Sequence, residues 1–224
     1  MGDFGALRER LPATTPLHNR PPHDAALSDA IASLRVHPVL EAALHLLNSD
    51  LAAAHFLLRH MQAAPAFEAM YLHGILHRIE GDVDNARAWY GDVERSDVFR
   101  HVWGGGGSSP APGEEGGGKG RMGWKAFLDG IEKIHRRGGH HGQSDDKQDG
   151  EDGRTKEEDE RAERGEERGE EEAEEEEVKK RAEEEVSGVL QWCLDKFGTG
   201  KVEDATGVWV QPSDEIRSTG DGVF

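Results

Sequence analysis

His45-Leu46-Leu47-Asn48-Ser49-Asp50-Leu51 and, 32 residues later, His77-Arg78-Ile79-Glu80-Gly81-Asp82-Val83 decide how this chain folds. Laid over one another, the two stretches align His45 with His77 and Asp50 with Asp82, and the overlay continues past them. Ala54 falls on Ala86, Leu57 on Trp89, Leu58 on Tyr90 and Met61 on Val93. Identities are few, but apolar positions agree throughout, and so does the polar turn between them. On both sides of that turn the apolar residues recur at three and four, the period of a helix with one buried face. Each stretch therefore reads as helix, tight turn, helix, and two such units bury their faces against one another.

Outward from the turns the pattern extends in both directions. Ala26, Leu27, Ala30, Ile31 and Leu34 predict a helix with Asp24 as its N-cap. Pro38 suits the first turn of the next, which carries Val39, Leu40, Ala43, Leu44 and Leu47. Ser49 and Asp50 cap a helix through Met61, Pro65 separates it from one over about 66–80, and Gly81-Asp82 opens another through Val93. Residues 1–23 hold four prolines and no sustained period, so they are expected to form an irregular arm. Residues 24–103 are the expected core of helical hairpins, and 104–123 a flexible glycine-rich linker.

Trp124, Phe127, Leu128, Ile131 and Ile134 predict an amphipathic helix over 124–137. Residues 138–180 form an acidic, low-complexity segment with a coiled-coil-like charged run and no apolar stripe, expected outside the fold. Apolar period returns over 181–198 with Val186, Val189, Leu190, Cys193, Leu194 and Phe197, stopped by Gly198. Both late helices are too short to persist alone in water, so they are expected to dock on the hairpins. The tail, 199–224, offers one extended candidate, Val208-Trp209-Val210. The fold class is therefore all-α: antiparallel, repeat-like hairpins interrupted by a glycine-rich linker and an acidic insertion.

The stretch from Gly81 through Ala86 to Trp89-Tyr90 resembles the first helix of a tetratricopeptide repeat, where a small Ala packs under an aromatic residue; that family's period is 34 rather than 32. A closer resemblance rests on His73-Gly74-Ile75-Leu76-His77-Arg78-Ile79-Glu80-Gly81-Asp82 with Asn85, Ala86, Trp89 and Tyr90. It is to a set of uncharacterised helical proteins, mainly fungal with bacterial relatives, that carry a His-Gly-x-x-His-Arg-x-Glu-Gly-Asp…Asn…Trp core. The likeness covers about 36–103 and, more loosely, 192–197. It implies a shared fold and no activity.

The chain is 224 residues long with a net charge of −18, of which −13 falls between Ser144 and Glu185. Such a surplus argues against direct contact with nucleic-acid phosphates. It suits a solvated spacer, or attraction of a basic partner. No apolar run approaches the length of a membrane span, and the first residues lack a leader's basic and apolar regions, which points to the cytoplasm with the nucleus open. Cys193 is the single cysteine; it lies in an apolar run and reads as a buried thiol rather than a nucleophile.

No residue announces itself as catalytic: there is no phosphate-binding glycine loop and no Ser/His/Asp order. His73, His77 and Glu80 share one helical face at a spacing that can hold a divalent metal, with His55 or His60 able to supply a further ligand. Equally, these histidines suit half-buried packing, each bonded to a backbone carbonyl or to Glu80. Gly74, inside an apolar helix, marks a close helix crossing or a ligand against the backbone. The first functional expectation is a non-catalytic scaffold that needs no cofactor and binds a protein partner around Arg78, Glu80, Asn85 and Trp89. The alternative is a metal-dependent enzyme using His73, His77 and Glu80, with a divalent ion as cofactor.

Overall fold

The computed structural model describes residues 4–104, 122–138 and 154–209, with side chains from 169 onward in the last segment. Among the described residues there are nine α-helices, one 3-10 turn and no strand. In order they are α1 (Phe4–Arg10), α2 (Leu27–Leu34), α3 (Pro38–Leu47), α4 (Leu51–Leu58), α5 (Phe67–Glu80), α6 (Val83–Val93), α7 (Asp97–Trp103), α8 (Trp124–Gly138) and α9 (Arg154–Phe197), with the 3-10 turn at Thr206–Val208. The all-α expectation holds. None of these helices is long and apolar enough to cross a membrane.

The internal repeat is a repeat of backbone chemistry. In the α3–α4 turn Ser49 adopts φ 59°, and in the α5–α6 turn Gly81 adopts φ 91°. At both, the amide that follows the left-handed residue bonds back to the carbonyl five earlier: Asp50 to His45 at 2.9 Å, Asp82 to His77 at 3.0 Å. The aspartates then turn outward to cap the following helices, Asp50 Oδ1 accepting from the Ala53 amide and Asp82 Oδ1 from the Asn85 amide, each at 3.2 Å. Gly74 permits the α5–α6 pair to close. A Cβ there would lie 2.8 Å from a ring carbon of Tyr90 and 3.0 Å from Cβ of Trp89. The close-crossing reading of this glycine accounts for it without a ligand.

Three expectations change. The N-terminal arm contains helix α1, whose Leu7, together with Leu11 just beyond it, is buried; its apolar positions were present, but the prolines that follow masked so short a helix. The last docking helix does not begin at 181: α9 is continuous from Arg154, and Val178, within the acidic segment, is fully buried. A Cβ on Gly130 of α8 would lie 2.6 Å from Val178 Cγ2, so the two helices cross there almost in contact. Glu171 and Glu174 face Arg137 and Lys133 of α8 at 3.2 and 2.5 Å. Between 154 and 180 the apolar residues are Ala162, Ala173 and Val178, too few to make a stripe. In the tail, Val208 closes a 3-10 turn instead of an extended run; Val210 lies outside the described residues, as do most of the linker and much of the acidic segment.

Helix α8 and the C-terminal part of α9 pack on the hairpins. Helix α8 buries Phe127, Leu128 and Ile131. It is tied to α6 by Arg87, whose guanidinium reaches Asp129 at 2.8 Å and Glu132 at 2.6 Å. Helix α9 buries Val186, Val189 and Cys193 against the hairpins, and burial holds the Cys193 thiol above its ordinary range.

The same helix carries Glu185, fully buried, into the centre of the molecule. One carboxylate oxygen accepts from the hydroxyls of Tyr71 (2.9 Å) and Tyr90 (2.6 Å), and the other lies 3.2 Å from Nη2 of the equally buried Arg78. Trp103 Nε1 donates to Tyr71 at 2.5 Å. Helices α5, α6, α7 and α9 thus meet at one carboxylate. Glu185→Ala should lower unfolding free energy by about 3–5 kcal/mol, since it leaves a guanidinium buried without its counter-ion. Urea titration followed by circular dichroism will measure it, and a loss under 1 kcal/mol would show that α9 is held by its apolar face alone. Gly74→Ala should also destabilise although Ala favours helix, because Tyr90 must move; an unchanged midpoint would refute the tight crossing.

Candidate functional site

Helix α5 has two working faces. Tyr71 and Arg78 point towards Glu185, while His73 and His77, one turn apart, point towards α4 and α6. From α4, His55 faces them. The three imidazoles form a cluster in which one ligand nitrogen from each lies within 4.8 Å of the others. Ring centres are separated by 5.0 Å for His55–His73, 5.7 Å for His55–His77 and 4.8 Å for His73–His77.

His73 is the most buried member, 3% exposed, and neither of its nitrogens has a hydrogen-bond partner among the described residues. Trp89 of α6 stacks on one side of its ring at 4.6 Å. Burial, and then the neighbouring His77 and His55, push its pKa down to about 3, so the ring is neutral at physiological pH. A buried imidazole with both nitrogens idle is unusual, because the water it gives up on folding is not replaced.

His77 is held from both ends. Its Nδ1 lies 3.1 Å from Oε2 of Glu80, close enough for attraction though not aligned as a hydrogen bond. Its Nε2 is 3.3 Å from Nδ2 of Asn85. The same amide nitrogen of Asn85 lies 3.3 Å from Oδ2 of Asp82. A carboxylate only accepts, so the Asn85 atom between them must be the donating nitrogen, and His77 Nε2 must then be the acceptor. In the uncharged ring that arrangement leaves the proton on Nδ1, facing Glu80.

Of the residues anticipated as a contact surface, Glu80 is exposed, Asn85 and Trp89 are partly buried, and Arg78 is completely enclosed. Arg78 is therefore removed from that set: its charge belongs to the Glu185 pair and its guanidinium packs against the Phe127 ring at 5.3 Å. Trp89 serves as the wall of the histidine cluster. His60 stands apart from it, with Nδ1 on the carbonyl of Phe56 at 2.7 Å. A polar cleft of about 340 Å³ does lie at the α5–α6 turn, lined by Gly81, Asp82, Val83, Asp84, Glu132, His135 and Arg136. Helix α8 forms its other wall, and Trp89 does not line it.

The structure brings His73 and His77 together with His55, while Glu80 lies beside His77 alone; spacing in the sequence does not rank His55 above His60, since that depends on how α4 rolls against α5. No protein family, curated protein or solved structure matches the chain.

A pH signature follows from His73. Its pKa is lowered on folding, so the unfolded chain binds the extra proton between about pH 6.5 and 3. Its contribution to stability is complete above pH 6.5 and is lost progressively as pH falls towards 3. Glu41, pushed up to about 7 by burial, acts with the opposite sign between pH 4.5 and 7, which is why a comparison with wild type is needed. The melting temperature of wild type should fall more steeply from pH 6.5 to 4 than that of His73→Phe. Parallel curves would mean that the ring is solvated.

Proposed function

We propose that this chain is a metal-binding helical protein whose centre is His55, His73 and His77, taking a borderline divalent ion of the zinc class. The observation that carries the reading is the enclosed, neutral and unbonded His73 imidazole facing two others. Each idle buried nitrogen forfeits about 1–3 kcal/mol of solvation, which a coordinate bond would replace. Three imidazoles bound tetrahedrally at about 2.1 Å from one ion hold their ring centres about 5 Å apart. The spacings of 4.8–5.7 Å bracket that value. The ligand nitrogens must still draw in, to about 3.4 Å from one another at that bond length, which rotations about the Cβ–Cγ bonds accomplish. An all-nitrogen donor set suits Zn²⁺, Co²⁺, Ni²⁺ or Cu²⁺, and not Ca²⁺ or Mg²⁺.

Relative to the sequence-based alternative, His55 replaces Glu80 as ligand, and Glu80 becomes the carboxylate behind His77. Three protein ligands leave a coordination position for water or another molecule, the arrangement of exchangeable and catalytic sites rather than closed structural ones. The reading also suits the architecture better than a peptide-binding scaffold, because α9 of the same chain already packs along α3 and α7.

Metal-free protein, titrated with Co²⁺ and Zn²⁺ and followed by calorimetry and visible absorption, should take up one ion per chain. His55→Ala, His73→Ala and His77→Ala should each weaken binding by about 100-fold or more, while His60→Ala should leave it unchanged. Substoichiometric uptake, or equal loss on changing His60, would dismiss the site.

A further inference from the structure

We infer that Nε2 of His77 is the coordinating nitrogen, and that Asn85 is an internal, displaceable occupant of that nitrogen whose release accompanies metal binding. The inference rests on the three-histidine reading above and adds to it a device that sets occupancy. The geometry comes as a relay of four side chains. Asp82 Oδ2 holds the Asn85 amide at 3.3 Å, the amide donates to His77 Nε2 at 3.3 Å, and His77 Nδ1 faces Glu80 Oε2 at 3.1 Å. Because the Asp82 carboxylate fixes which end of the Asn85 side chain is the donor, the relay has one consistent proton arrangement. In it the lone pair of His77 is on Nε2, the atom an ion would need, and it is already engaged.

The two neighbours of His77 therefore act in opposite directions. Glu80, 3.1 Å from Nδ1 without a hydrogen bond in the metal-free geometry, favours the Nδ1–H tautomer by its charge. A small side-chain rotation would complete the carboxylate–histidine pairing that makes Nε2 a better donor to metal. Asn85 competes for the same lone pair. At 3.3 Å its bond is long, which suits a contact that yields. Displacement leaves the turn intact, since the cap on α6 is made by Asp82 Oδ1 with the Asn85 backbone amide, not with its side chain. Both are positioning residues: neither contributes a ligand atom.

The test uses the full chain, ¹⁵N-labelled and metal-free, with Zn²⁺ as the titrant. Long-range ¹H–¹⁵N spectra should find His77 as the Nδ1–H tautomer, and the side-chain amide signals of Asn85 should shift as Zn²⁺ is added. Asn85→Ala should tighten Zn²⁺ binding about two- to tenfold, the loss of one competing hydrogen bond. Glu80→Gln should weaken it about 10- to 100-fold. An Nε2–H tautomer in the metal-free protein, or Asn85→Ala binding no tighter than wild type, overturns the inference and leaves the histidine site standing. A wild type that takes up no Zn²⁺ overturns both.

Discussion

A single carboxylate, Glu185, has no route to solvent and two tyrosines and an arginine turned on it. Every helix in the centre of the molecule is placed by that constraint. A buried carboxylate is costly when separated from its partners, so α5, α6 and α9 cannot slide or roll independently without parting Glu185 from Arg78 and the two tyrosines. Apolar packing would accept several registers of α9 on the hairpins; the carboxylate accepts one. Arg181, one turn earlier, repeats the restriction by donating to the Val102 carbonyl at 3.0 Å with its guanidinium 3.7 Å from the Trp103 ring centre.

The histidine cluster inherits this rigidity. Helix α5 presents Arg78 to the carboxylate on one side and His73 and His77 to α4 and α6 on the other, and Gly74 lets Tyr90 and Trp89 press against it. Fixing the roll of α5 through Arg78 therefore fixes where the imidazoles point. Trp89 next to Tyr90 performs the matching split on α6, one aromatic ring serving the cluster and the other serving Glu185.

The sequence made the hairpins legible because their determinants are local: helical period, a left-handed residue, an aspartate cap. Ser49 and Asp50 repeat the grammar of Gly81 and Asp82 closely enough to be seen in one chain. The polar centre was harder, since nothing in the neighbourhood of Glu185 distinguishes it from the glutamates beside it. Its one signature is positional: it falls on the stripe Val178, Ala182, Val189, Cys193, where each of the others is apolar and buried. Arg78 carries the same mark on α5, between Ile75 and Ile79. Two opposite charges on two buried stripes are a readable pair, but only when α9 is known to reach back to Val178. The histidines were legible as a set and not as a geometry, because whether His55 joins them depends on the packing of α4, which no spacing within α4 encodes.

Glu185 also has a consequence for the order in which the molecule is made. It lies 114 residues along the chain from the Tyr71 hydroxyl it receives. During synthesis the hairpins emerge first, with local contacts sufficient to form helices, yet Arg78 must wait in water until the last long helix has left the ribosome. Closing the core is then a late, long-range step, and until it happens the N-terminal half exposes an apolar face that nothing else in the described chain covers. The interval between the two halves is the period in which a nascent chain of this kind has most need of a chaperone.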